Sequence, residues 1–117
     1  MTESQVYQLL KTNTAIKALI NERVYPMVAP QNVVKPYLTY QVISKINLQC
    51  LGGQIYQGDY RMQIDCFSLT YSNVKAISEA VKNALVGFMD SNNISIMDDY
   101  ENETALFRQI IDFKLKG

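Results

Sequence analysis

Apolar residues recur at helical spacing where the chain begins: Val6, Leu9 and Leu10 with Tyr7, then Ile16, Leu19 and Ile20. This predicts a helix near residues 3–11 and a second short helix or turn near 14–21, with Thr12 or Asn13 capping between them. Arg23-Val24-Tyr25-Pro26 reads as a short strand stopped by its proline, followed by an irregular loop to Lys35 and Pro36. From Pro36 the period changes to two. Leu38, Tyr40, Val42 and Ile46 fall on one face and Thr39, Gln41 and Lys45 on the other, the pattern of a strand with one side buried. Residues 60–69 repeat it, with Tyr60, Met62, Ile64 and Cys66 opposed to Arg61, Gln63 and Asp65.

The segment between these strands, 51–59, holds three of the five glycines and suits a long hairpin loop. A register in which facing residue numbers sum to 110 is expected. It sets Ile46 against Ile64, Leu48 against Met62, Val42 against Ser68 and Cys66 against Ser44, and it pairs Lys45 with Asp65. Beyond it, Val74, Ile77, Val81, Ala84, Leu85 and Phe88 recur every three or four residues, predicting a helix over 71–88 with Ser72 as N-cap and Gly87 near its end. Ile94 and Ile96 read as a short strand. Ala105, Phe107, Gln109, Ile111, Phe113 and Leu115 form one face of a long final strand, and an acidic turn joins the two. The order helix, strand, hairpin, helix, hairpin points to an α+β fold: one two-layer domain spanning 1–117, a mainly antiparallel sheet with helices packed on one face.

Composition narrows the function by exclusion. Eleven basic and eleven acidic residues cancel, and no two basic residues are adjacent, so the electrostatic footprint of sequence-specific nucleic-acid binding is missing. The apolar runs are too short to span a bilayer and the chain opens on Thr2, Glu3 and Ser4, so neither a membrane segment nor a signal peptide is expected. There is no histidine, which removes the usual general base and the commonest nitrogen ligand for zinc. Cys50 and Cys66 are expected to be free thiols, six residues apart along the ladder. Asp98, Asp99, Glu101 and Glu103 cluster, but their spacing is not that of an EF-hand, and a solvated turn is the expected reading. No phosphate loop or nucleophile elbow is present. Hence no enzyme, no cofactor and no metal is expected.

What remains is the central loop. Gln49, Leu51, Gly52, Gly53, Ile55, Tyr56, Gly58 and Tyr60 place large apolar and tyrosine groups where a hairpin tip would ordinarily be polar. Such side chains on an arm suit burial against a partner, or folding back over an open edge of the chain's own core.

The N-terminal helix pair is followed by Arg23-Val24-Tyr25-Pro26; Lys35-Pro36-Tyr37-Leu38-Thr39-Tyr40 opens a strand; Arg61-Met62-Gln63-Ile64-Asp65-Cys66-Phe67-Ser68 leads to a helix that ends Asn83-Ala84-Leu85; and Phe107 to Asp112-Phe113-Lys114-Leu115 is the closing strand. In this order these stretches resemble the tail-completion or tail-terminator proteins of long-tailed bacteriophages and prophages. The resemblance implies a virion structural protein, assembled in the host bacterial cytoplasm, with no cofactor. It implies a homo-oligomeric ring, hexameric in such proteins, on the head-proximal end of the tail tube, touching the tube protein on one side and the head-tail connector on the other. Gln49 to Asp59 would then be the arm reaching a neighbour, and Asp98 to Glu103 would face the lumen or the connector. The alternatives are a head-side connector or stopper protein and, in a different class, a small ligand-binding or enzyme-subunit domain.

Overall fold

Thr2 and Gln5 begin the first helix with a reciprocal pair of bonds: the Gln5 amide donates to Thr2 Oγ1 at 3.3 Å, and the Thr2 amide donates to Gln5 Oε1 at 2.8 Å. In this computed structural model, which describes residues 2–49 and 55–115, helix α1 (Glu3–Thr12) is followed by α2 (Thr14–Ile20). Asn13 separates them. Its amide donates to the Leu9 carbonyl at 2.9 Å, and its side-chain Oδ1 accepts from the Ile16 amide at 3.1 Å, so one residue closes one helix and caps the next. The strands are β1 (Val24–Pro26), β2 (Tyr37–Gln49) and β3 (Ile55–Ser68). Helix α3 (Tyr71–Leu85) runs on through a 3₁₀ turn (Val86–Phe88) into β4 (Met89–Glu101), and β5 (Leu106–Leu115) ends the described chain.

The expected α+β architecture is present. Five strands lie in the order β1-β2-β3-β5-β4, with β1 parallel to β2 and every other neighbour antiparallel. On one face Leu38, Met62, Ile64, Cys66, Ile111 and Phe113, all 0 % exposed, meet Val6, Leu10, Ile16, Ile20, Val74, Ile77, Val81 and Leu85 from the helices. Each such aliphatic side chain contributes about 1.5–3 kcal/mol on leaving water, so this layer holds the domain together. A smaller cluster of Tyr37, Phe67 and Leu106 forms on the other face, where Tyr25, Ala29 and Val33 pack against it and residues 27–36 cross it as a strap.

The strand alternation is as expected, but the register is not. Facing residues of β2 and β3 sum to 104 near the domain: Leu38 opposes Cys66, Tyr40 opposes Ile64 and Val42 opposes Met62. Lys45 therefore faces Tyr60 and Asp65 faces Thr39, so the expected Lys45–Asp65 pair does not form, and Cys66 does not face Ser44. A slip of an even number of residues leaves each side chain on its own face, which is why Leu38, Tyr40, Met62, Ile64 and Cys66 are buried as expected while their partners differ. Two irregularities, between Val42 and Ser44 and between Lys45 and Asn47, shift the ladder further. Strand also replaces two expected loops. β3 begins at Ile55, inside the glycine-rich segment, and β4 continues through Asp98 and Asp99 to Glu101, so the turn is confined to 102–105. The N-cap of α3 is Thr70, which accepts from the Asn73 amide at 3.3 Å, rather than Ser72.

Candidate assembly surfaces

Among the described residues β3 pairs with β5 from Tyr60 onward, where Tyr60 faces Leu115, whereas β2 and β3 stay paired out to Gln49 and Ile55. Among the described residues the pair therefore continues beyond Tyr60 as a two-stranded ribbon. The molecule is correspondingly long, 52 × 29 × 26 Å. Of the expected arm residues, Gln49 faces Ile55, Tyr56 faces Leu48 and Tyr60 faces Lys45, while Gly58 lies within β3. Leu51, Gly52 and Gly53 lie outside the described residues, as does Cys50.

The four acids do not converge. Neighbouring residues of a strand point to opposite faces, and Asp98 and Asp99 obey this. Asp98 lies on the helix side of β4, where the Tyr71 hydroxyl donates to Oδ2 at 2.8 Å and the Gln109 amide donates to Oδ1. The Tyr71 and Gln109 bonds, helped by Lys75, hold its carboxyl below the ordinary aspartate range. Asp99 faces the other way, 3.6 Å from an Arg108 guanidinium nitrogen. Glu101 accepts from the Thr104 hydroxyl at 3.1 Å, and Glu103 is exposed in the turn. Among the described residues no group of three or more acidic, cysteine or histidine side chains could hold a metal ion.

The face away from the helices carries polar chemistry that sequence reading did not single out. Arg108 Nη2 meets Asp65 Oδ2 at 2.7 Å, and Gln63 donates to Asp65 Oδ1 at 2.9 Å. Arg61 Nη1 meets Asp112 Oδ1 at 2.8 Å. The Arg108 guanidinium also lies 5.5 Å from the centre of the Phe67 ring, which stacks on Tyr37 at 4.7 Å. Strap residues Met27, Val28 and Val33 border a cleft of about 300 Å³ over this group, with Asp65, Glu101 and Arg108 in its walls. Burial raises the Tyr37 hydroxyl above its ordinary range, and the Glu101 charge adds to the effect. The signal for this network was the alternation of Arg61, Gln63 and Asp65 along a strand whose other face is apolar.

Cys66 is 0 % exposed, and burial beside Asp65 pushes its thiol up, so it acts as a small apolar filler and not as a nucleophile. No helix among the described residues is long and apolar enough to cross a membrane. Among the described residues the large exposed apolar side chains are Met27, Val28 and Val34 on the strap, Ile43 on β2, Leu69 and Tyr71 at the start of α3, Val86 and Phe88 after it, and Ile96, Met97 and Tyr100 on β4. Phe88 also borders an open groove of about 680 Å³ along α1, with Gln5, Gln8 and Leu9. These are features of a surface that meets other proteins.

Comparison with known proteins follows the same line. The model of the family described as tail completion protein gp17 matches residues 4–116. A chain of the solved structure described as the virion of a native gene transfer agent particle shares the fold, with a TM-score of 0.73 at 17 % identity, covering 94 % of this chain and 89 % of that one. A comparison with curated proteins gives no match.

Proposed function

Because this chain belongs to the tail completion protein gp17 family, it is a structural protein of a phage tail and not an enzyme, and we propose that it acts as a ring, hexameric as the resemblance implies, on the head-proximal end of the tail tube. There it stops tube growth and offers a joint to the head connector. The observation that carries this reading is the ribbon of β2 and β3, which among the described residues extends past Leu115 of β5. A two-stranded hairpin standing alone is marginal in water, so a ribbon that leaves its own sheet is best accounted for by a surface that receives it. A neighbouring copy is the occupant that a ring supplies.

Asp98 and Asp99 on β4, with Glu101 and the exposed Glu103 at the turn, supply the acidic surface for a connector or a channel. That turn joins the ends of β4 and β5 opposite to the end where the ribbon projects. A near-neutral chain suits a collar through which DNA passes without being held.

Replacing residues 47–57 by an Asn-Gly turn tests the reading. The shortened protein is expected to keep its helix content and melting behaviour, to scatter light as a monomer, and to leave tube ends uncapped in negative-stain images. A shortened protein that still forms rings and caps tubes would remove the arm from the account.

A further inference from the structure

The two outer strands of the sheet are unlike each other. β4 is last on one side, and among the described residues it pairs with β5 alone. From Ile94 to Glu101 it has no proline, no lysine and no register shift, and the only charges along it are the acids Asp98, Asp99 and Glu101, which guard the edge against another acidic strand while leaving it open to a basic one. Ile96, Met97 and Tyr100 are 41, 49 and 45 % exposed along it. On the other side, β1 covers β2 only at Leu38 to Tyr40, so from Gln41 to Gln49 β2 also presents an edge with no strand beside it among the described residues.

These edges differ in charge. Residues 89–103 contain Asp90, Asp98, Asp99, Glu101 and Glu103 with no basic residue, whereas residues 21–49 contain Arg23, Lys35 and Lys45 against Glu22 alone. They also differ in direction: β2 runs against β3, β3 against β5 and β5 against β4, so β4 is antiparallel to both β1 and β2. A copy rotated to the next position about an axis along the strands brings its β1–β2 edge antiparallel to β4, a geometry in which backbone bonds form readily. A two-fold contact of β4 with β4 would instead set acids against acids.

We infer that β4 is the acceptor edge for the β1–β2 edge of a second copy of this chain, sheet added to sheet in head-to-tail order. The inference rests on the ring reading and names the surfaces that build the ring, since unlike patches meeting in this way close into a ring when the rotation per copy divides a full turn.

Cross-linking tests it in a Cys50→Ser background, where the buried Cys66 does not compete for a thiol reagent. Ser95→Cys or Met97→Cys marks β4 in one chain, Gln41→Cys or Ile43→Cys marks β2 in another carrying a size tag, and pairs are mixed with a short bismaleimide. Circular dichroism checks the fold of each, and light scattering and negative-stain imaging with tail tubes record assembly. The expected result is a covalent dimer of the two unlike chains, several-fold above the dimer from either alone. Rings that give no mixed dimer from any of the four pairs, or β4 cross-linked mainly to β4, overturn the edge assignment and leave the ring standing. Protein that stays monomeric even with tubes overturns both. Hydrogen exchange on the unmodified chain gives a second reading: amides within 94–101 gain protection on assembly if the inference holds, and unchanged protection there in assembled rings overturns it.

Discussion

Arg108 ties together β3, β5 and β4 by holding Asp65 at 2.7 Å and Asp99 at 3.6 Å. Its partner Asp65 is only 7 % exposed, so removing the guanidinium leaves a largely buried carboxylate with the Gln63 amide as its remaining donor. Arg108→Met is expected to lower stability by about 2 kcal/mol in urea unfolding, and adding Asp65→Asn to it should recover part of the loss. Asp98 gives a pH signature. Its folded pKa is depressed, so its stabilising contribution is complete above the ordinary aspartate value of about 3.9 and is lost as pH falls through the folded value. Melting curves of Asp98→Asn and the unmodified protein should therefore differ at neutral pH and converge on acidification. That Asp65 and Arg61 share a polar face was legible in the alternation of β3. Their partners were not, because Arg108 and Asp112 lie 43 and 51 residues away and which residues meet depends on strand order.

Elements defined by a local pattern were the legible ones. The two N-terminal helices, the strand at Val24 and the long helix follow from periodicity, and the Asn13 junction follows from capping chemistry. Asn13→Ala removes the acceptor for the Ile16 amide and is expected to cost about 1 kcal/mol, seen as a lowered urea midpoint with the slope unchanged. Strand lengths and register were less legible. Ile55 to Asp59 looks like loop because of Gly58 and its neighbouring glycines, and it is strand because Asn47, Leu48 and Gln49 of β2 pair with Gln57, Tyr56 and Ile55, a register shift taking up Gly58 and Asp59. Asp98 and Asp99 look like turn because they are charged, and they are strand because Gln109, Arg108 and Tyr71 receive them. The sum of 110 was favoured by one attractive charge pair, Lys45 with Asp65. A single exposed pair is worth too little to set a register when burial of a whole face is equally satisfied by the alternative.

At the scale of the molecule, a net charge of zero conceals an uneven distribution, with the acids gathered along β4 and its turn. If copies meet through these unlike edges, salt should loosen the assembly without abolishing it. Raising ionic strength from about 0.01 to about 1 M contracts the screening length from about 30 to about 3 Å, and the light-scattering mass at fixed protein concentration is expected to fall over that range. Charge sum and composition could exclude a nucleic-acid binder, but the separation of charge becomes visible only once strand order is known. The paired ribbon of β2 and β3 lies at one end of the strand axis and the turn after Glu101 at the other. A wreath of copies related only by turning about that axis has no mirror and no flip, so one rim carries the fingers and the other the turns with Glu101 and Glu103. If the proposed ring forms, one gene product makes an adaptor whose top and bottom are different objects, able to grip one kind of neighbour below while showing another kind something else above.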